Sequence, residues 1–254
     1  MRELTLTGLE GLPEIERGTA LPVLLMHAIE RACIELQSGD VLVIAQKIIS
    51  KAEGRLVALR EVTPSARAIE LAKRIDKDPR LVELMLQESR EVVRAKRGVL
   101  ILEHRCGFVM ANAGLDRSNV ALTNGEDCAL LLPQDPDASA ERLRAGMREL
   151  SGVDVGVIIN DSFGRAWRNG VAGVAIGVAG IPALVDVRGR PDRQGRPLEV
   201  TQIAAADELA AAASLVMGQA DEGIPAVLAR GFPYARRDGH ARELLRPRAE
   251  DLFR

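Results

Sequence analysis

Apolar residues recur along this chain in two rhythms, one helical and one strand-like. From Thr19 to Gln37 they fall at helical spacing, with Leu25, Ile29, Ala32 and Leu36 on one face, Pro22 in the first turn and Gly39 as a stop. The run VLVIA at 41–45 reads instead as a buried strand, opening into Gln46, Lys47, Ser50 and Lys51 and then the turn-like Glu53-Gly54-Arg55. Thr63-Pro64 and Asp78-Pro79 each set a capping residue before a proline, predicting two successive helices that end near Lys96-Arg97-Gly98. VLIL at 99–102 and FVMA at 108–111 are strand candidates separated by the polar turn Glu103 to Gly107, and the second leads into Asn112 to Asn119.

Asp135-Pro136 opens a predicted helix to about Leu150, and the strand-like Val155, Val157, Ile158 and Ile159 follow within a few residues. Gly170, Gly173, Gly177 and Gly180 recur near a helical period, which fits either closely approaching backbones or a glycine-rich strand and turn, and they do not match GxGxxG. Asp186 to Gly195 is a polar Gly/Pro-rich loop, Gln202 to Met217 an alanine-rich helix, and AVLA at 226–229 a strand. This alternation of strands and helices predicts a mixed α/β or α+β fold. Its 254 residues can form one domain or two smaller units, with no repeat or linker to mark a boundary.

Composition narrows the function. Hydrophobic residues make up 47% of the chain but aromatics only 2%, so the core must be aliphatic and stacking platforms for single-stranded nucleic acid are lacking. A formal net charge of -2 supplies no overall basic field, and the arginines at 236, 237, 242, 246 and 248 read as a solvated tail. Cys33, Cys106 and Cys128 are widely spaced, without a CxxC pair, which argues against a disulfide framework or zinc site and fits a reducing cytoplasm. The first residues lack a signal-peptide pattern, and no apolar run is long enough to span a membrane.

Candidate chemistry concentrates where apolar strands give way to polar clusters. VGVIINDSFGRAWR at 155–168 ends a buried run in Asn160, Asp161, Ser162, Arg165 and Arg168. Asp and Ser supply hard oxygen ligands for Mg2+ or Mn2+, and arginines grip carboxylate or phosphate, so the cluster points to phosphoryl transfer on an anionic substrate. Asp116 sits in a similar cluster after its own strand candidate; taken singly, either aspartate reads as a turn residue, and their recurrence favours a ligand role. Lys51 follows the VLVIA strand as a candidate phosphate partner, and the loop from Met217 to Ile224 offers backbone N–H groups between two glycines. No GxxxxGK[ST] motif is present, and His27, His104 and His240 have no nucleophile motif beside them. Trp167, the single tryptophan, reads as a packing anchor.

Together GLPEI at 11–15, SKAEGR at 50–55, ANAGLDRSN at 111–119, NDSFGRAWR at 160–168 and the long segment 175–225 resemble the coenzyme F420-0:L-glutamate ligase (coenzyme F420:gamma-glutamyl ligase) family. The resemblance implies a single ligase domain over 1–254, or two subdomains within it, with the family's α+β fold of mixed sheets and flanking helices and an intertwined homodimer. It also implies that the C-terminal flavin reductase domain of some relatives is lacking. The implied reaction adds L-glutamate to F420-0, and then gamma-linked glutamates, at the expense of GTP and through an acyl phosphate. By the same resemblance Leu12, Pro13, Glu14, Ile15, Gln46, Lys51, Asn119, Met217, Gly218, Gln219, Ala220, Asp221, Glu222, Gly223 and Ile224 contact GTP. Asp116, Asp161, Ser162 and Gln219 take the divalent-metal positions, for Mg2+ or Mn2+, with K+ as a further ion to test. Asp161, Arg165 and Arg168 are the residues expected to act in catalysis.

Two positions depart from the family pattern: Gln46 stands where serine or threonine is typical, and Gln219 where glutamate is expected. An amide oxygen can ligate a metal but lacks the carboxylate's charge, so metal affinity or nucleotide preference is expected to differ. A carboxylate–amine ligase for another acid acceptor, and a non-catalytic nucleotide- or metal-binding regulator, stay open as other readings.

Overall fold

The computed structural model describes residues 3–118, 120 and 125–252. A five-stranded sheet runs in the order β1 (Thr5–Gly8), β12 (Ala226–Arg230), β2 (Val41–Ala45), β8 (Gly156–Arg165) and β9 (Arg168–Ala179). β2 and β8 are parallel, with Val41 opposite Gly156 and Ala45 opposite Asn160, while the other neighbours are antiparallel. Val41 to Ile44 and Val157 to Ile159 are fully buried, as continuous apolar runs in the middle of a covered sheet should be.

Three helices serve this sheet: α1 (Leu21–Arg31), α5 (Pro136–Ser151) and α6 (Ala205–Met217), with α5 and α6 packed on β9 and α1 on α5. Glycine sets how closely they approach. A Cβ built on Gly173 would meet the carbonyl oxygen of Ala210 in α6, and one on Gly177 would lie 2.6 Å from the carbonyl carbon of Pro136 in α5. The glycine series is therefore a strand over which two helix backbones pass. A bulge between Ile159 and Asn160 shifts the β8–β9 register, and Ala175 N–H donates to Asp207 Oδ1 of α6 at 2.9 Å.

A second hydrophobic cluster forms from the central part of the chain. Here α3 (Ala66–Ile75) and α4 (Pro79–Gln87) accompany the antiparallel sheet β4 (Ser89–Lys96), β5 (Val99–His104) and β6 (Val109–Ala111), while β3 (Leu56–Ala58) pairs with β7 (Cys128–Leu130). The short helix α2 (Gln46–Ala52) follows β2 directly, and β10 (Val185–Asp186) pairs with β11 (Gln202–Ile203). Arg55, where the chain leaves α2 for the second cluster, donates to the Leu132 carbonyl and to Glu88, both at 2.8 Å. Burial alone would raise the Glu88 carboxyl, but hydrogen bonds from His104 and Arg105 and the Arg55 charge hold it at about 2.

The mixed α/β class agrees with the sequence reading, but several boundaries differ. α1 stops at Arg31 rather than near Gln37: Cys33 turns to a φ of 54°, and Arg31 donates to the carbonyls of Glu10 and Gly11, each at 3.1 Å. Ile34 and Leu36 still reach the core from extended chain, so their apolar spacing is real and their helicity is not. Asp78 caps α4 as expected, while α3 is capped by Ser65 instead of Thr63. Nor do those helices reach Gly98, because Ser89–Lys96 is a strand whose pairing with β5 outweighs local helical preference. The C-terminal arginines are no free solvated tail: Arg236 pairs with Asp154, Arg237 with Glu243 and Arg248 with Glu91. Trp167 lies in the turn between β8 and β9, 82% exposed, so it is not a core anchor. The three cysteines are free, and among the described residues no helix is long and apolar enough to cross a membrane.

Candidate functional site

Ligands in open α/β sheets bind beyond the carboxyl ends of parallel strands, and here β2 ends at Ala45 opposite Asn160, where its parallel pairing stops while β8 runs on to Arg165. A cavity of about 480 Å3 opens at that edge. Its floor is Ala45, Gln46, Lys47 and Lys51 from the β2–α2 junction and Asn160, Asp161 and Ser162 from β8. Because α2 starts at once, Lys47 and Lys51 stand one turn apart on the same helix face. One wall is Leu12 to Ile15, held by buried Leu9 and Ile15 and by the Arg31 bonds to Glu10 and Gly11. The opposite wall is Met217 to Pro225, where α6 ends at Gly218 with φ 75° and Gly223 turns with φ 68°.

All the expected nucleotide residues except Asn119 line this cavity, though they come from three separate stretches of chain; Asn119 lies outside the described residues. Lys51 forms an ion pair with Glu14 across the cavity. Gln46 is buried and accepts a hydrogen bond from Ser50 Oγ at 2.9 Å. Gln219 Oε1 accepts from Ser162 Oγ at 2.9 Å and its amide donates to Ser214 Oγ at 3.3 Å, which pins the 217–225 wall to β8 and α6. Ala220 N–H donates to Glu222 Oε2 at 2.8 Å, and such backbone bonds hold the Glu222 carboxyl below its ordinary range. The wall thus already binds an anionic group with its main chain.

The two expected aspartates feel each other's charge, although only Asp161 lines the cavity and Asp116 lies on the segment that follows β6. Asp161, at the cavity floor, is pushed up to about 7, by burial first and then by the negative charge of Asp116; the N–H of Ser162 and the charge of Lys47 oppose this. Asp116 shows the reverse outcome. Burial would raise it, but hydrogen bonds from Lys47 and from both the N–H and hydroxyl of Ser118 bring it below the usual range. Asp161, Ser162 and Gln219, with Asp116 within electrostatic reach, are hard oxygen donors of the kind that could hold Mg2+ or Mn2+. No group of three or more His, Cys, Asp or Glu side chains assembles among the described residues, so the remaining ligands would have to come from substrate phosphate and water.

Asp161 also makes stability depend on pH. Its folded pKa lies above the ordinary 3.8, so its share of stability is full below pH 4, falls as pH rises through 7 and is then lost. The ceiling of this loss is about 4 kcal/mol, and water reaching the partly exposed residue lowers it to about 2. In metal-free buffer, Asp161→Asn is expected to match wild type at pH 4 and to exceed it by about 2 kcal/mol at pH 8, measured by denaturant midpoint. Equal midpoints at pH 8 would rule out the buried-charge account.

Arg165 and Arg168 stand apart from the cavity lining, exposed on the β8–β9 hairpin, where Arg165 donates to the Asn169 carbonyl at 3.2 Å. Asn160 and Lys47 line the cavity, named by the sequence reading in its polar clusters but given no role there, and Ser214 lines it without having been named. Asn160 is buried, donates to Ser214 Oγ at 3.4 Å, and among the described residues leaves Oδ1 without a hydrogen-bond partner. Lys47 carried one legible signal, its place directly after a buried strand; Ser214, inside an alanine-rich helix, carried none.

Comparison with known proteins covers the same segments. The model of the F420-0:gamma-glutamyl ligase family matches residues 11–231. The coenzyme F420:L-glutamate ligase of Methanothermobacter thermautotrophicus is 48% identical over 253 residues, 99% of both chains. That of Methanopyrus kandleri is 51% identical over 224 residues, 87% of each chain, and that of Archaeoglobus fulgidus 46% over 245 residues, 96% of this chain and 94% of the relative. With the match extending across both hydrophobic clusters and all walls of the cavity, the chain belongs to the F420-0:gamma-glutamyl ligase family.

Proposed function

We propose that this protein is a GTP-dependent coenzyme F420-0:L-glutamate ligase acting in coenzyme F420 biosynthesis. The observation that carries the reading is the convergence of Lys47 and Lys51 from α2 and Asp161 from β8 into one cavity walled by the 217–225 segment. Amide formation in water needs an activated carboxylate, and transfer of the GTP γ-phosphoryl group to an F420-0 carboxylate oxygen supplies one, with GDP as leaving group. The glutamate nitrogen then attacks the acyl carbon, inorganic phosphate departs, and the amine gives up a proton.

In this scheme Lys51 neutralises phosphate charge after giving up Glu14, and the main-chain N–H groups of 219–222 take phosphate oxygens in place of Glu222. Asp116, Asp161, Ser162 and Gln219 would hold Mg2+ or Mn2+, which when bound neutralises phosphate oxygens during transfer. Arg165 and Arg168 are assigned to anionic groups of an acid that extends toward the hairpin.

Mass spectrometry tests the reaction directly. Incubation with F420-0, GTP, Mg2+ and L-glutamate is expected to add one or more glutamyl residues and to release GDP in excess of enzyme only when glutamate is present. Absence of both the mass gain and glutamate-dependent GDP would reject the proposal.

A further inference from the structure

Lys47 has the most hydrogen bonds of the cavity's cations, and all of them reach one segment of the other hydrophobic cluster. Its Nζ lies 2.9 Å from Asp116 Oδ2 and donates to Ser118 Oγ at 2.8 Å and to the Ser118 carbonyl at 3.3 Å. Asp116 Oδ1 is already filled, since Ser118 N–H and Oγ–H both donate to it at 2.7 Å. The ammonium is therefore the charge partner of Asp116 on its free oxygen, within electrostatic reach of Asp161 as well. Lys51 differs, because its carboxylate partner Glu14 is a 78% exposed side chain that can swing into solvent.

We propose that Lys47 is a positioning residue that couples divalent-cation binding to nucleotide binding. The inference rests on the reading of this cavity as a metal–nucleotide site. A divalent ion at Asp116 and Asp161 without nucleotide must share the carboxylates with an ammonium, and the two cations repel each other. A nucleotide phosphate beside both relieves that repulsion and gives Lys47 a new anion to bind. Each ligand then raises the affinity for the other by the same factor.

The test is Mn2+ titration of the full chain, with and without saturating GDP, for wild type, Lys47→Met and Lys47→Arg, with each variant's fold checked by circular dichroism. Wild type is expected to bind Mn2+ more tightly in the presence of GDP. Lys47→Met should bind Mn2+ alone about tenfold more tightly than wild type, and its coupling factor should be about tenfold smaller. Lys47→Arg, which keeps the charge, should retain most of the coupling. Simple loss of structure would weaken Mn2+ binding, so tighter binding distinguishes the two causes. Weaker Mn2+ binding by Lys47→Met, or an unchanged coupling factor, would overturn the inference while leaving the site reading intact. A wild type that binds neither Mn2+ nor GDP would remove both.

Discussion

Asp161→Ala is expected to lower glutamate-dependent GDP formation by about a thousandfold or more while the protein melts no lower at pH 8. The two effects come from one side chain. Its carboxyl is kept in a place that disfavours negative charge, just past the buried half of β8 and within electrostatic reach of Asp116. Such a group weakens the fold near neutral pH, and on the proposed reading it is kept to receive a cation. Turnover assays and thermal melts on the same preparation check both halves. Undiminished turnover would remove the metal role, and a large drop in melting temperature would make the residue structural.

The largest effect on folding is expected from Gly173→Val. A Cβ here would press on the Ala210 carbonyl and lie 2.6 Å from Asn160 Oδ1, so neither a flexible side-chain end nor empty space can absorb the new atoms. Helix α6 would have to lift from β9, separating Ser214 from Asn160. The destabilisation should exceed about 3 kcal/mol and leave little soluble protein at 37 °C. Gly164→Ala is the control, because a Cβ there meets nothing within 4 Å. Equal denaturant midpoints for the two variants would show that the close approach of α6 is not required.

Much of the central sheet was legible because buried parallel strands leave unbroken apolar runs, and VLVIA at 41–45 became a strand with those same limits. β4 was hidden for the opposite reason. Its Val92 and Ala95 keep a helix-like interval, and only pairing with β5 shows them to be strand. Around the site, aspartates placed after strands were readable from the change between apolar and polar chain, and the walls came from family motifs. The partnership of Lys47 with Asp116 was not readable, since 69 residues separate them in number and no local pattern pairs an α2 lysine with an aspartate beyond β6. The strand β8 also continued through the polar cluster to Arg165, which carried Arg165 and Arg168 onto the hairpin and out of the cavity lining.

The position of β12 between β1 and β2 bears on how the molecule is made. Two strands from the first fifth of the chain flank a gap that only residues 226–230 fill, so the nascent sheet is split until translation is almost finished. Such long-range closure slows folding and leaves two strand edges open meanwhile. An emerging chain would therefore carry Asp116 and Asp161 well before β12 ties β1 to the rest of the sheet, and the cavity edge at Ile224 and Pro225 would be set only with that final insertion.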